Sequence, residues 1–463
     1  MNGRSRSDRR IAYRWIPGRH KDCPSPGPGR TYRRGPRSHP DRPGTPIPGE
    51  GKTTLCRETL LNAIRMEITD VRLYTVEEGT QGQLGAEEGE SQYWGGGWQT
   101  EALIANPMSL YPEYKEERTS WMGPGQDPFV VELEAADGTT GFAANYGGGR
   151  YACDVVDTHF RRFVEGANAF DIERTWERMN RAQLPYGQRG LTMMAISGVD
   201  LAMWDLVGKL TDQPVYNLLG GKSKDSIDCY VTTHADVMEH MADEGFLGVK
   251  LAAPWSQEDG YREGLRKTEE MVAEARDLYG DDAEVMLDCY MAWDKEFTIR
   301  AADRLKQYDL KWLEDPLHPD AVHEYADIRD EIKPIQMAIG NLAFGYEHFH
   351  QFLQAGSGDI IQPEVQWAGG MTEVRRIAEM AKPHGLPVVP HGASVYNYHF
   401  VVSHTNAPYA EYLTVSDGRE VRPVFDAIEG EPIPEDGTIT LSDDPGFGVE
   451  LNRDIVEPYE PAN

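Results

Sequence analysis

The sequence predicts an α/β protein in which a (β/α) barrel follows an N-terminal α+β domain. From about Ser226 onward, short apolar runs alternate with helix-like stretches. Six of these runs close on a polar residue, and successive members of this set lie 26, 27, 23, 27 and 20 residues apart. Each step is about one strand plus one helix, and a barrel gathers its strand ends at one mouth. We therefore expect an active site built from Asp288, Glu314, Asn341, Glu364, His391 and Glu411.

The first 65 residues differ from the rest in charge and composition. They hold 15 Lys and Arg against 5 Asp and Glu, a balance of +10, and they are rich in Pro and Gly. Because they have no apolar period that could build a core, we expect residues 1–65 to be a disordered basic extension. The strand-like run MEITDVRLYTVEE suggests that the natural protein begins at Met66. PGEGKTT is not read as a phosphate loop, because Pro46 stands where that motif needs glycine.

Residues 66–195 are predicted to form the N-terminal domain. FVVELEAADGTTGFAAN reads as two strands joined at Asp137-Gly138, which indicates a hairpin. Helical periodicity follows in VVDTHFRRFVEGA, in DIERTWERMNRAQL and in MMAISGVDLAMWDLVGKL. Strands followed by a group of helices are typical of a separate α+β domain.

Residues 196–421 are predicted to form the barrel. Its candidate strands are IDCYVTT, GFLGVKLA, EVMLDCY, LKWLEDP, IQMAIG, DIIQPE, PVVPHG and AEYLTV. RKTEEMVAEARDLYG and MTEVRRIAEMAKPHG are helix-like, and the second is expected to end with Gly385 at its C-cap. The Pro-rich residues 422–463 are expected to pack back on the N-terminal domain.

The strand-end residues suit metal and proton-transfer chemistry. Asp288 and Glu314 end adjacent strands, and carboxylate oxygens are the ligands that Mg²⁺ prefers. Either acid alone is consistent with a solvated residue on the rim of the barrel. Six polar residues that are each separated by about one strand plus one helix favour an active site. His391 is the natural proton carrier, because imidazole titrates nearest neutral pH. Glu364, one barrel unit earlier, is expected to accept the other N–H of that ring and raise its basicity.

Longer motifs resemble the enolase superfamily in its mandelate racemase branch. VMLDC, KWLEDP and PVVPHGASVYNYH carry this resemblance. QPEVQWAGGMTEVRRIAEMAK, NPMSLYPEYKEERTSW, GVDLAMWDLVGKLTDQPVYNLLGG and DPGFGVELNRD are similar to the L-rhamnonate dehydratases, and the similarity runs from about Met66 to the C-terminus. The resemblance implies a modified TIM (β/α) barrel beneath an α+β capping domain. It also implies a Mg²⁺-dependent enzyme that dehydrates an acid sugar to a 2-keto-3-deoxy acid.

The resemblance further implies a role for each site residue. Metal ligands are expected at Asp288, Glu314 and Asn341, the catalytic base and its partner at His391 and Glu364, the enolate-stabilising acid at Glu411, and further substrate contacts at Arg118 and Lys250. In such a site, Mg²⁺ binds the substrate carboxylate and stabilises the charge that develops when the C2 proton leaves.

Two positions depart from the family pattern. The family has Glu where this chain has Asn341, and Asp where it has Glu364. An amide oxygen ligates without charge, so we expect weaker Mg²⁺ binding, with Glu347 as the alternative third ligand. GVKLAAPW contains Lys250 but no second lysine two residues on, so the second base of a racemase is missing. A single base therefore favours dehydration over racemisation. The resemblance implies L-rhamnonate as the substrate, and the alternatives are another aldonate (xylonate, gluconate or lyxonate), then a racemase, then a catalytically dead binding protein.

Composition limits the partners and the compartment. Net charge is −30 for the whole chain and −40 for residues 66–463, which disfavours nucleic acid and anionic membranes as partners. So acidic a surface suggests a salt-rich host cytoplasm. The five cysteines show no metal-binding spacing and are expected to be reduced thiols. We expect a cytoplasmic homo-oligomer that acts on a small acid sugar.

Overall fold

Two main sheets, a further two-stranded sheet in the C-terminal segment and the surrounding helices make up the described part of the chain. The computed structural model describes residues 66–76, 104–115, 128–414 and 420–461, which all lie in one compact unit. The strands are β1 Ile68–Val76, β2 Phe129–Ala135, β3 Thr140–Asn145, β4 Ile227–Thr233, β5 Gly248–Ala252, β6 Glu284–Asp288, β7 Leu310–Glu314, β8 Gln336–Ile339, β9 Ile360–Ile361, β10 Ala410–Leu413, β11 Ile428–Glu429, β12 Thr438–Ile439, β13 Glu450–Leu451 and β14 Val456–Pro458. The α-helices are α1 Gly149–Val155, α2 Arg161–Val164, α3 Ile172–Ala182, α4 Leu191–Thr211, α5 Val215–Leu218, α6 Tyr261–Tyr279, α7 Lys295–Leu305, α8 Val322–Arg329, α9 Gly345–Ala355, α10 Gly370–Ala381 and α11 Val395–Ser403. Short 3-10 helices span Pro107–Leu110, Pro112–Tyr114, Ala235–Met241, Gln257–Asp259, Lys306–Tyr308 and Lys382–His384, and a π-helical segment, Val156–Phe160, joins α1 to α2.

The smaller sheet is antiparallel and has the order β14-β1-β2-β3. The predicted hairpin forms at its expected turn, where Gly138 adopts φ +88° and the Thr139 N–H donates to Asp137 Oδ1 at 3.0 Å. β14, from the C-terminal segment, pairs with the edge of β1, whereas β12 of the same segment pairs with β4 of the other sheet. The C-terminal segment therefore contacts both sheets.

The larger sheet is the curled parallel sheet of a modified TIM barrel. Its strands follow the order β10-β4-β5-β6-β7-β8-β9, and β10 pairs in parallel with β4. Between β9 and β10 in the chain, Val388 makes a parallel bridge to Ile361. The PVVPHG run thus occupies the position of a barrel strand but, among the described residues, pairs with its neighbour only through this bridge, because Pro387 and Pro390 have no N–H to donate.

Helix α4 joins the two sheets. It packs against β2 and β3 on one side and against α10 of the barrel on the other. Its residues are apolar almost all round, and it is long and apolar enough to cross a membrane, with 89% of the apolar window buried inside the protein. The boundary predicted after residue 195 falls within this continuous helix, and the domain limits stay a prediction.

A layer of apolar side chains fills the barrel interior. The layer consists of six side chains, each from a different strand segment of the barrel: Tyr230, Met286, Trp312, Ala338, Ile360 and Val389. All six are nearly or fully buried, as expected of a barrel whose centre is a packed core and not a pore. Asp288, Glu314, Asn341, Glu364 and His391 stand two to four positions further along the chain than members of this layer, so they lie above it. Glu411 differs from the prediction, because it is the second residue of β10, in register with Tyr230, and does not end its strand.

Candidate active site

The structure brings the predicted strand-end residues into one buried network. Asp288 and Glu314 are the last residues of β6 and β7, and these two strands pair with the two residues in register. Glu411 lies in β10, Asn341 follows β8, and Glu364 and His391 follow β9 and the Val388 bridge. All six side chains are buried. The alternation of strand and helix explains this convergence, because every parallel strand ends at the same side of the barrel.

Lys250, in the middle of β5, is the positive centre of this network. Its ammonium nitrogen lies 2.7 Å from Glu314 Oε1, 2.9 Å from Glu411 Oε1 and 3.7 Å from Asp288 Oδ2. The Lys250 side chain is 1% exposed. Burial lowers the pKa of Lys250, but the surrounding carboxylates outweigh this effect and raise that pKa well above its ordinary value. The lysine therefore remains charged and offsets the acids around it.

Glu314 is held by three donors, whereas Asp288 keeps one oxygen without a hydrogen bond. The second oxygen of Glu314 accepts from Trp312 Nε1 at 3.1 Å and from Gln362 Nε2 at 3.0 Å. Asp288 Oδ1 accepts from the Tyr290 N–H at 2.9 Å, and Oδ2 is buried with no hydrogen-bond partner. Burial, followed by the negative charge of Glu314, raises the pKa of Asp288 well above its ordinary value. A cation at this point would relieve that repulsion.

Asn341 presents a similar unpaired oxygen. Its Oδ1 is buried without a hydrogen-bond partner, while its backbone N–H donates to Asp315 Oδ2 at 3.0 Å. The other oxygen of Asp315 accepts from the Gly340 N–H at 3.1 Å, so this acid fixes the loop after β8. Glu347 is exposed on the first turn of α9 and lines a separate cavity of about 430 Å³. Of the two candidates for the third ligand, Asn341 is the one at the strand end.

The donor set has the chemistry of a site for a hard cation. Asp288 Oδ2 and Asn341 Oδ1 are buried oxygen atoms without a hydrogen-bond partner beside other carboxylates, and oxygen donors are what Mg²⁺ prefers. Within the described ranges, no three His, Cys, Asp or Glu side chains are arranged to hold a metal ion by themselves. The predicted set contains two acids, and its third member is an amide.

His391 and Glu364 form the expected pair. His391 Nδ1 lies 3.0 Å from Glu364 Oε2, and the same oxygen accepts the Tyr146 hydroxyl at 2.5 Å. Burial lowers the pKa of His391, but the hydrogen bond to Glu364 and the charge of Glu411 outweigh it and raise the pKa to about 9. Because Nδ1–H donates to the carboxylate, Nε2 is the nitrogen left to exchange a proton.

Glu411 connects the lysine to the histidine loop. Its Oε1 accepts from Thr232 and Lys250, and its Oε2 accepts from the Gly392 N–H at 2.7 Å. Burial raises the pKa of Glu411, but the positive charges of Lys250 and His391 lower it to about 2. Glu411 is therefore an ionised acceptor in this structure.

Some of the site residues were not predicted from the sequence. Gln362 precedes Glu364 by two positions in an extended segment, so the alternation of side chains could have placed both on one face. Asp315 follows Glu314 directly and could have been considered with it. Tyr146 gives no such signal, because it lies 218 residues from Glu364 in the chain. Arg118 lies outside the described residues.

Sequence profiles identify the family to which this architecture and this site belong. Residues 118–220 match the mandelate racemase / muconate lactonizing enzyme N-terminal domain, and residues 233–455 match the enolase C-terminal domain-like family. The chain belongs to the enolase superfamily, in its mandelate racemase / muconate lactonizing enzyme branch.

Individual relatives narrow the likeness further. The L-rhamnonate dehydratase of Saccharopolyspora erythraea is 40% identical over 403 residues, which cover 85% of this chain and 100% of that protein. The rhamnonate dehydratase of Gibberella zeae in complex with Mg is 37% identical with a TM-score of 0.79, covering 85% of this chain and 97% of that one. The 3,6-anhydro-D-galactonate cycloisomerase of Zobellia galactanivorans, at 22% identity and a TM-score of 0.67, shares the fold over 84% of this chain and 99% of its own.

Proposed function

We propose that this protein is a Mg²⁺-dependent acid-sugar dehydratase. It removes the C2 proton and the 3-hydroxyl of an aldonate, L-rhamnonate in the first instance, to give a 2-keto-3-deoxy acid. The observation that carries the proposal is the pairing of one histidine base, His391, with Glu364 beside a cluster of buried strand-end oxygens. The likeness to an L-rhamnonate dehydratase that is matched over its full length supports it.

Asp288, Glu314 and Asn341 are the residues that would hold Mg²⁺. When bound, the ion supplies positive charge that binds the substrate carboxylate and stabilises the negative charge that develops beside C2. Lys250 bonds to Glu314 and Glu411, so it holds a second positive charge in the same network. Glu411 keeps its expected part in stabilising the enolate, and we assign this action to its bond with Lys250, which holds the ammonium protonated and in place.

His391 performs both proton transfers in this proposal. In its neutral form the ring takes the C2 proton at Nε2, and Glu364 stabilises the resulting imidazolium through Nδ1–H. The pKa of about 9 makes His391 a strong base that is mostly protonated at neutral pH, and a cation at the neighbouring carboxylates would lower that pKa. The same nitrogen then gives that proton to the departing 3-hydroxyl, which leaves as water. The product enol becomes the 2-keto-3-deoxy acid by tautomerisation, and the histidine returns to its neutral form.

The strand opposite the histidine favours dehydration over racemisation. Racemisation needs a second base on the other face of C2. In the described chain, the position two residues after Lys250, where a racemase would have a second lysine, is Ala252 at the end of β5. Lys250 itself is ion-paired with the carboxylates of Glu314 and Glu411. A single base that first removes and then returns a proton suits loss of water.

The test is a screen of aldonic acids with Mg²⁺ and detection of 2-keto-3-deoxy products. We expect turnover with L-rhamnonate, and product from xylonate, gluconate or lyxonate instead would change the substrate but keep the reaction. Exchange of the C2 hydrogen with solvent deuterium without keto acid would replace the proposal by a racemase. A catalytically dead relative is the alternative that Asn341 favours, and a lack of Mg²⁺ binding by calorimetry would support it.

The net charge of −30 supports salt adaptation, and the cysteines without metal or disulfide spacing support a cytoplasmic location. The homo-oligomer is proposed because barrels of this kind commonly associate, and the acidic surface makes that assembly depend on salt. Sedimentation analysis at low and high KCl tests the assembly, and we expect larger species at high salt because screening weakens repulsion between acidic subunits.

A further inference from the structure

Tyr146 extends from the end of β3, in the smaller sheet, to the carboxylate that orients the histidine. Its hydroxyl donates to Glu364 Oε2 at 2.5 Å, the same oxygen that faces His391 Nδ1 at 3.0 Å. The other oxygen, Oε1, accepts the Gln366 N–H at 3.0 Å. Glu364 is fully buried, so these three donors are what hold its orientation. Two of them come from the barrel, and the phenol comes from the smaller sheet.

The ring of Tyr146 is fixed on several sides. It stacks on Phe425 of the C-terminal segment, with ring centroids 5.1 Å apart, and meets the edge of Trp367 at 5.4 Å. Trp367 Nε1 also donates to the Tyr146 carbonyl at 2.7 Å, and the preceding Asn145 donates to the Gln366 carbonyl at 2.9 Å. The end of β3 is thus joined to the loop that carries Glu364. A hydroxyl on so constrained a ring has little freedom to leave its acceptor.

The phenol is a donor and not a competing acid. Burial and the charge of Glu364 raise the pKa of Tyr146 well above its ordinary value, so its proton stays on the oxygen. The backbone leaves room for this contact at Gly392, which adopts φ +78°. A Cβ atom there would lie 2.5 Å from the Tyr146 hydroxyl oxygen and 2.6 Å from Glu364 Oε2.

We propose that Tyr146 is a positioning residue that anchors the Glu364 carboxylate so that it holds His391 in its reactive orientation. The side chain of Glu364 has one more rotatable bond than that of an aspartate. The hydrogen bond from the Tyr146 hydroxyl to Glu364 Oε2 restricts rotation about this bond. The inference rests on the proposed function, since His391 is taken as the base. Tyr146 acts through Glu364 and is not assigned a contact with substrate.

The test is Tyr146→Phe, which keeps the stacked ring and removes the hydroxyl. We expect kcat for the aldonate to fall about 10- to 100-fold with KM changed less than about twofold, because orientation of the base is lost while substrate contacts remain. Tyr396→Phe is the matched control. Its buried hydroxyl bonds the backbone of Ala144, two residues away from Tyr146, and does not reach the dyad. An unchanged kcat in Tyr146→Phe, or an equal loss in both variants, overturns the inference.

A double-mutant cycle with Glu364→Gln separates positioning from general damage. If Tyr146 works through Glu364, adding Tyr146→Phe to Glu364→Gln lowers kcat by less than about threefold. If the two losses multiply, the tyrosine acts elsewhere and the inference fails.

A measurement without substrate keeps the inference separate from the proposed function. The downfield ¹H NMR signal of the His391 Nδ1–H is expected to shift in Tyr146→Phe and to stay in place in Tyr396→Phe. A signal that does not move in either variant overturns the inference. Absence of keto acid from the wild-type enzyme with every aldonate refutes the proposed function and leaves the NMR result to stand by itself.

Discussion

Replacement of Lys250 by methionine is the sharpest test of the electrostatics of this site. The lysine ammonium lies within 3.0 Å of carboxylates of Glu314 and Glu411 and 3.7 Å from Asp288. Methionine keeps a similar length and removes the charge. The variant is therefore left with three buried acids and no adjacent ammonium to offset them.

The expected loss follows from the burial of this lysine. Removing one partner of a buried ion pair costs about 3–5 kcal/mol, because the other charge is left uncompensated. At about 2 °C per kcal/mol for a large domain, Tm should fall by about 6–10 °C. Lys295→Met is the control, since its ammonium pairs with Asp327 at 3.0 Å where both side chains are exposed, and such pairs contribute at most about 1 kcal/mol.

The assay is thermal unfolding in EDTA at high salt, followed by a pH series. The pKa of Glu411 is depressed to about 2 from 4.5, so its contribution to stability is present above about pH 4.5 and is lost as the pH falls toward 2. The difference between wild type and Lys250→Met should shrink over that same window. A variant as stable as wild type at pH 7, or one whose deficit does not depend on pH, would contradict this account.

Three further outcomes are expected. The pKa of His391 is raised from 6.5 to about 9, so its contribution to stability is complete below pH 6.5 and is lost as the pH rises through 9. In EDTA, the difference in unfolding free energy between wild type and His391→Asn should therefore decline between pH 6.5 and 9. A difference that does not change over this range would refute the expectation. Gly392→Ala should lower kcat about tenfold or more, because the added methyl group would collide with the dyad carboxylate. Gly385→Ala is the control at φ +68° with open space around it, and comparable kcat losses in the two variants would count against the collision. Asn341→Asp should tighten Mg²⁺ binding about tenfold or more by calorimetry, because it adds a charged oxygen donor, and unchanged affinity would mean that this residue is not a ligand.

Much of the fold was predictable because its signals are local. The hairpin between β2 and β3, the alternation of strands and helices, and Gly385 in the left-handed conformation that ends the helical stretch Lys382–His384 all follow from neighbouring residues. Strand lengths were less predictable. β9 contains two residues, and the PVVPHG run is reduced to a bridge at Val388, because prolines interrupt the donors of the ladder.

The candidate site was predictable only in part. The spacing of Asp288, Glu314, Glu364 and His391 places each at the end of a strand, and parallel strands bring such ends together whatever fills the loops. The different environments of Asn341 and Glu347 needed coordinates, since both residues lie within a few positions of the same strand, and the choice of Asn341 as third ligand stays a proposal. Their separation into a buried loop and an exposed helix turn depends on how α9 packs.

By itself, the sequence determined the order of strands and helices in the barrel, and it placed Asp288 and Glu314 at the ends of their strands. The tertiary structure decided which side chains touch. Lys250 lies between acids of β6, β7 and β10, and Tyr146 reaches Glu364 across 218 residues of chain. The reason is physical: periodicity reports the environment of a residue along its own element, whereas a contact between elements is fixed by the packing of the whole core.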